Sequence, residues 1–274
     1  MATIASEAVA AQAPLPAAGR VAQFVDRWIY VFLALLFVVT ALAGFIPTSL
    51  SKIAAVEAGL RPPFPAVLHV HAVLMGTWLL LLLAQAMLQA TRRKSLHWKL
   101  GLAAFPLIPA MVLTGLLLVP VPRELQWEAL QAEATGPQRA MLAANLERGV
   151  NVLLVQLRMG IVFTTLAIWA LLVRRRDPAL HKRLWFLGTA SLLVPAIDRM
   201  RWLPTTFPES FVASDLYTLL LVSPMFAWDL FRLRRVHRAY AIWLGVILLP
   251  TAALHALWGT DWWQGTGLRI LGLA

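Results

Sequence analysis

Seven stretches of this chain are long and apolar enough to cross a bilayer as helices: roughly 28–48, 66–90, 100–120, 151–173, 184–203, 214–231 and 239–258. A transmembrane helix needs about 20 mostly apolar residues, and no other feature of the sequence restricts the fold as strongly. The run from Val73 to Leu83 is apolar on every side, unlike the single apolar stripe of a helix lying on a soluble core. Unbroken runs also argue against a β-barrel, whose strands alternate in segments of about ten residues. Within lipid a backbone must satisfy its own polar groups, and a helix does so. The expected fold is therefore all-α, a polytopic membrane bundle of seven transmembrane helices.

Composition enters as a check on this reading. Of 274 residues, 60% are hydrophobic and 14% charged, with mean hydropathy +0.72, against roughly 25% charged in soluble domains. An ordinary soluble enzyme and a disordered chain are both excluded. The chain has no cysteine, which removes thiolate metal sites, iron–sulfur clusters and cysteine nucleophiles. Residues 1–27 open with an Ala- and Pro-rich stretch that has no early basic residue. They read as a disordered cytoplasmic tail rather than a signal peptide. The bundle is expected over 28–258, with one long outer loop at 121–150 that suits short interfacial helices. Residues 259–274 form a periplasmic C-terminal tail in this reading.

Charge gives the expected orientation. Three short loops hold thirteen of the 24 basic residues: Arg92, Arg93, Lys94 and Lys99; Arg174, Arg175, Arg176, Lys182 and Arg183; and Arg232, Arg234, Arg235 and Arg238. With Arg20 and Arg27 on the same side, that face carries the whole net charge of +11, and the opposite face is neutral. Basic loops stay cytoplasmic, so the N-terminus is expected inside and the C-terminus in the periplasm of a bacterial inner membrane. The basic face is expected to meet anionic lipid headgroups, and a membrane-protein partner fits there too. Nucleic acid is not an expected partner, because the charge is confined to short interhelical loops. Many of the 12 tryptophans, among them Trp28, Trp98, Trp185, Trp202, Trp258 and Trp262, lie near expected span ends, as interfacial anchors do.

The three basic loops also resemble one another. Each has a basic cluster, an aliphatic residue, a histidine (His97, His181 or His237), another base and then a new apolar run. The chain thus reads as one lead helix plus three helical hairpins. The histidines can bond nearby loop backbone, or they can converge as a metal- or proton-handling triad.

The stretch Leu68-His69-Val70-His71-Ala72 is followed by Met75, Trp78 and Gln85, and later by Leu96-His97-Trp98-Lys99-Leu100-Gly101. Together with His181-Lys182-Arg183-Leu184 and the segment from Asp229 through Arg234-Arg235-Val236-His237 to Tyr240, it resembles a bacterial family of seven-helix inner-membrane proteins. The likeness runs from about 28 to 258. A looser likeness, carried by histidines near helix ends, is to membrane proteins of haem–copper oxidase assembly and to b-type cytochromes. It implies a haem-associated or redox accessory role in respiration.

Ionisable residues inside spans are costly and mark functional sites. Here they are His69 and His71, Arg158, Asp198 with Arg199, Asp215 and His255 toward the outer side, and Asp229 toward the inner side, where the polar but uncharged Gln85 and Gln89 also lie. At about 1.5 Å per residue, His71 and His255 reach similar depths. One reading makes them axial ligands of haem b, with Met75 or Trp78 lining the pocket and Arg199 or Arg201 meeting the propionates. A second is a zinc-dependent hydrolase with His69, His71 and His255 as ligands and Asp198 or Asp215 as fourth ligand or general base. A third is structural, with Arg158 pairing Asp198 within the membrane. Proline in several spans (Pro106, Pro109, Pro195, Pro224 and Pro250) also admits the broken helices of a small-molecule or lipid transporter. Phosphate-binding Gly-rich loops, a Gly-x-Ser-x-Gly elbow and His-Glu-x-x-His are all missing from the sequence.

Overall fold

The computed structural model describes residues 17–118, 120–132 and 135–273. Among these there are eleven helices and no strand: α1 (Ala17–Glu57), α2 (Ala66–Ala90), α3 (Lys94–Gly101), α4 (Ala104–Leu117), α5 (Pro120–Ala132), α6 (Pro137–Val173), α7 (Pro178–Ser191), α8 (Val194–Ile197), α9 (Val212–Leu233), α10 (Arg238–Leu257) and α11 (Asp261–Ile270). Five of them, α1, α2, α6, α9 and α10, are long and apolar enough to cross a membrane. A sixth crossing arises if α3 and α4, bent by 40° at their junction, act as one span. The protein is thus an all-α chain with the helices of an integral membrane protein.

The stretch expected as a fifth span, 184–203, falls on α7 and α8, which are 14 and 4 residues long. Neither is long enough to cross alone. The cause is Pro195: it has no N–H for the carbonyl four residues back, and its ring crowds that carbonyl, so α7 ends at Ser191. The break is tolerated because protein, not lipid, surrounds it. Leu184, Leu187, Ala190 and Ala196 are completely buried, enclosed by α1, α6, α9 and α10. Pro106 acts in the same way on the carbonyl of Leu102, where α3 gives way to α4. In α9 the chain runs on through Pro224, and the Ser223 hydroxyl donates to the Leu220 carbonyl that the proline leaves free.

Both expected tails are partly helical. α1 begins at Ala17, inside the stretch read as disordered; residues 1–16 of that stretch lie outside the described residues. Its first turns are anchored: Arg27 donates to the Ala90 carbonyl at 2.7 Å, and Asp26 pairs with Arg232 at 2.8 Å. At the other end, residues 261–270 of the presumed C-terminal tail form α11, which lies on α6. Trp263 Nε1 donates to the Val150 carbonyl at 3.0 Å, and Asn151 Oδ1 accepts from both Gly259 N and Gln264 Nε2. The 121–150 loop is mostly helical, as α5 and the first turns of α6.

The main core lies between α1, α2, α4, α6, α7, α9 and α10, around Phe37, Trp78, Phe163, Leu187 and Met225. Trp78 meets Phe163 edge-on with ring centres 5.3 Å apart, and its Nε1 donates to Thr189. At one crossing, α1 is pressed onto α8. A Cβ added at Gly44 would run into the Ala196 carbonyl, so only glycine permits that approach.

Candidate functional site

Two polar clusters occupy opposite ends of the bundle, and α9 contributes an acid to each. At the end away from the basic loops, the Arg158 side chain on α6 is only 4% exposed. Its Nη1 donates to Asp215 Oδ1 on α9 at 2.5 Å and reaches Thr251 Oγ1 on α10 at 3.4 Å. The guanidinium also lies over the Phe211 ring, 5.3 Å from its centre. The second Asp215 oxygen accepts from His255 Nε2 at 2.8 Å. One carboxylate is therefore shared by a buried arginine and a half-exposed histidine from two other helices. Asp215 and His255 are 23% and 32% exposed, so the cluster opens outward through them while Arg158 stays enclosed.

This corrects the expected ion pair. Arg158 pairs with Asp215, and Asp198 instead accepts the Ser214 hydroxyl. The reason is position: Asp198 follows the break after α8 at the bundle surface, whereas Asp215 is in the first turn of α9 and faces α6 and α10. Arg199, expected near a propionate, donates to the Pro195 carbonyl and lies 4.8 Å from the Phe45 ring centre.

The histidines of the outer cluster go to separate places. His71 on α2 donates from Nδ1 to Thr114 on α4 at 3.0 Å; the Thr114 hydroxyl is itself engaged with the Ala110 carbonyl. That leaves His71 Nε2 as the free lone pair. His69 lies edge-on to Phe64, and His255 belongs to Asp215. The expected metal set of His69, His71, His255 and Asp198 is not assembled: among the described residues no three His, Asp or Glu side chains are grouped to hold an ion.

The basic-loop end holds the second cluster. Arg183 on α7 binds Asp229 on α9 through two hydrogen bonds of 2.7 and 2.5 Å, both side chains being 7% exposed. Tyr240 on α10 donates to the same carboxylate at 2.6 Å. Lys182 lies over the Tyr30 ring, 4.4 Å from its centre. Asp26 also accepts from Trp228 Nε1 at 2.9 Å. The sequence reading singled out Asp229, but its pairing with Arg183 escaped it, because Arg183 was counted as a loop charge.

The three loop histidines take local roles. His181 donates from Nδ1 to the Ala170 carbonyl at 2.8 Å, and His237 accepts the Ala239 N–H as the cap of α10. His97 is near enough to His181 to bias its charge, and its Nδ1 is enclosed without a partner among the described residues. His237 feels the charges of Arg183, Asp229, Asp177 and Arg238, and burial holds its imidazole below the usual range. Asp177 caps α7 through Leu180 N and pairs with Arg238. The Leu180 N–H, and then the Arg238 guanidinium, hold its carboxyl below the ordinary carboxylate range.

Compared with known proteins, the chain matches no family model, no curated protein and no solved structure.

Proposed function

We propose that this is a bacterial inner-membrane protein, N-terminus cytoplasmic and C-terminus periplasmic, that binds and moves a small organic anion at Arg158. The observation that carries the proposal is the sharing of Asp215 between Arg158 and His255. Asp215 occupies the Arg158 guanidinium and is itself shared with His255, so a small organic carboxylate, which matches the forked donors of a guanidinium, can compete for it. Intramembrane ionisable residues that face a bundle interior commonly mark such pathways. Broken segments at α7–α8 and α3–α4, and the proline in α9, fit a transporter's discontinuous helices.

The test is benzoate binding to the detergent-purified protein. Wild type is expected to bind it, and Asp215→Asn, which removes the competing charge, to bind about tenfold more tightly, a difference near 1.4 kcal/mol. Arg158→Gln is expected to lose binding. No binding by wild type or by Asp215→Asn, or full binding by Arg158→Gln, sinks the reading.

The haem-associated reading retains one specific support. Thr114 orients the His71 ring so that Nε2 faces away with its lone pair free, the arrangement that a ligand histidine adopts. His255 would have to leave Asp215 to become the second axial ligand. Haem b bound this way predicts a Soret band, with sharp reduced α and β bands, that His71→Ala abolishes. Protein without visible absorbance, purified from haem-replete cells, removes this reading.

A further inference from the structure

Between the last turns of α2 and the short helix α3 lies an open groove of about 820 Å³ that the proposed transport does not use. Its walls are mostly apolar, with Met87 and Leu88 on α2 facing Leu96 and Leu100 on α3, and Arg93 and Lys99 also line it. The backbone builds this shape. Left-handed Arg92 (φ 59°) turns the chain back after α2, and the Arg93 N–H closes the turn onto the Leu88 carbonyl at 2.8 Å. Gln85 on α2 then pins α3, its Nε2 donating to the His97 carbonyl at 3.1 Å. The two walls are thus held at a fixed separation by bonds that involve none of the groove's own side chains.

The groove's charge has no answer within the protein. No acid occurs between Glu57 and Glu124, so α2, α3 and α4 supply no carboxylate. At this end of the bundle Asp26, Asp177 and Asp229 are already paired with Arg232, Arg238 and Arg183. Among the described residues no salt bridge reaches Arg93 or Lys99, and both are exposed. The apolar wall begins on α2, a helix long and apolar enough to cross a membrane, and the cations follow beyond its end. An anionic phospholipid is divided in the same way. Its acyl chain gains by burying methylenes against apolar side chains, and its phosphate is drawn to surface arginine and lysine. A free anion would leave the walls unused, and an uncharged lipid would leave the cations unused. We propose that the α2–α3 groove binds an anionic phospholipid, its chain against Met87, Leu88, Leu96 and Leu100 and its phosphate at Arg93 and Lys99.

The experiment measures the thermal midpoint of the whole protein in neutral detergent as lipid is titrated in at constant ionic strength. Phosphatidylglycerol is expected to raise the midpoint. Phosphatidylcholine, which has chains but no net charge, should need about tenfold more for the same rise. Glycerol phosphate, which has the charge but no chain, should have no effect. Arg93→Gln with Lys99→Gln should need about tenfold more phosphatidylglycerol than wild type; both side chains are exposed, so this variant should fold normally. Arg234→Gln with Arg235→Gln removes the same charge from another basic loop and should leave the response intact, which separates the groove from a general attraction to the basic face. An equal response to phosphatidylcholine, an effect of glycerol phosphate, or equal losses from the two double variants overturns the proposal. So does a midpoint that phosphatidylglycerol leaves unmoved; disulfide crosslinking of Leu96→Cys between two molecules would then give the groove to a second copy of the chain.

Discussion

Replacing Asp229 with alanine is expected to destabilise the protein by about 3–5 kcal/mol, the cost of leaving one member of a buried ion pair alone. Arg183 and Asp229 are each 7% exposed and joined by two hydrogen bonds. Removal of the carboxylate strands a guanidinium among apolar neighbours and takes the acceptor from the Tyr240 hydroxyl. Replacing both members, Arg183→Met with Asp229→Leu, should restore much of the loss, because neither charge then has to be stripped of water. The measurement is the thermal midpoint in detergent for the two single variants and the double. A loss below about 1 kcal/mol for Asp229→Ala, the level of an exposed pair, would mean that water reaches this cluster.

Gly44→Ala should cost about 1–3 kcal/mol, the range for forcing extra atoms into a packed site. It should lie near the top of that range, because the obstacle is the Ala196 carbonyl. A main-chain atom cannot swing aside as the end of a flexible side chain can. Two other helical glycines provide the contrast. Around a Cβ at Gly160 or Gly245 there is nothing within 4 Å. Alanine there should be neutral, or stabilising by up to about 1 kcal/mol through helix propensity. If all three substitutions behave alike in thermal unfolding, α1 does not press on α8 as described.

The apolar runs made the helical class legible, because lipid leaves a chain few other ways to satisfy its backbone. They did not reveal which runs stay whole. The 184–203 run is as apolar as a span, yet Pro195 ends α7 at Ser191, and packing on all sides accommodates the break. Hydropathy sees the solvent a residue prefers and cannot distinguish a lipid neighbour from a protein one. The polar groups that matter were visible singly, since Arg158, Asp215, His255 and Asp229 all interrupt apolar sequence. Their partners were not visible, because pairing depends on the rotation of each helix about its axis. Depth alone set His255 beside His71 and Arg158 beside Asp198; rotation gives His255 and Arg158 to Asp215.

That α9 holds an acid for both clusters limits how the molecule can rearrange. Asp215 and Asp229 are fourteen residues apart, which at 3.6 residues and 5.4 Å per turn puts them about 21 Å apart and within about 40° of one line along the helix. A rotation of the rigid helix would swing both acids away from their arginines together. For the backbone at Asp215 to move away from Arg158 while Arg183 stays bound, the helix has to flex between its two tethers. Pro224 lies in that interval, beside a Leu220 carbonyl already held by Ser223 rather than by the backbone, so the joint at which one end can yield without the other is already cut into the rod.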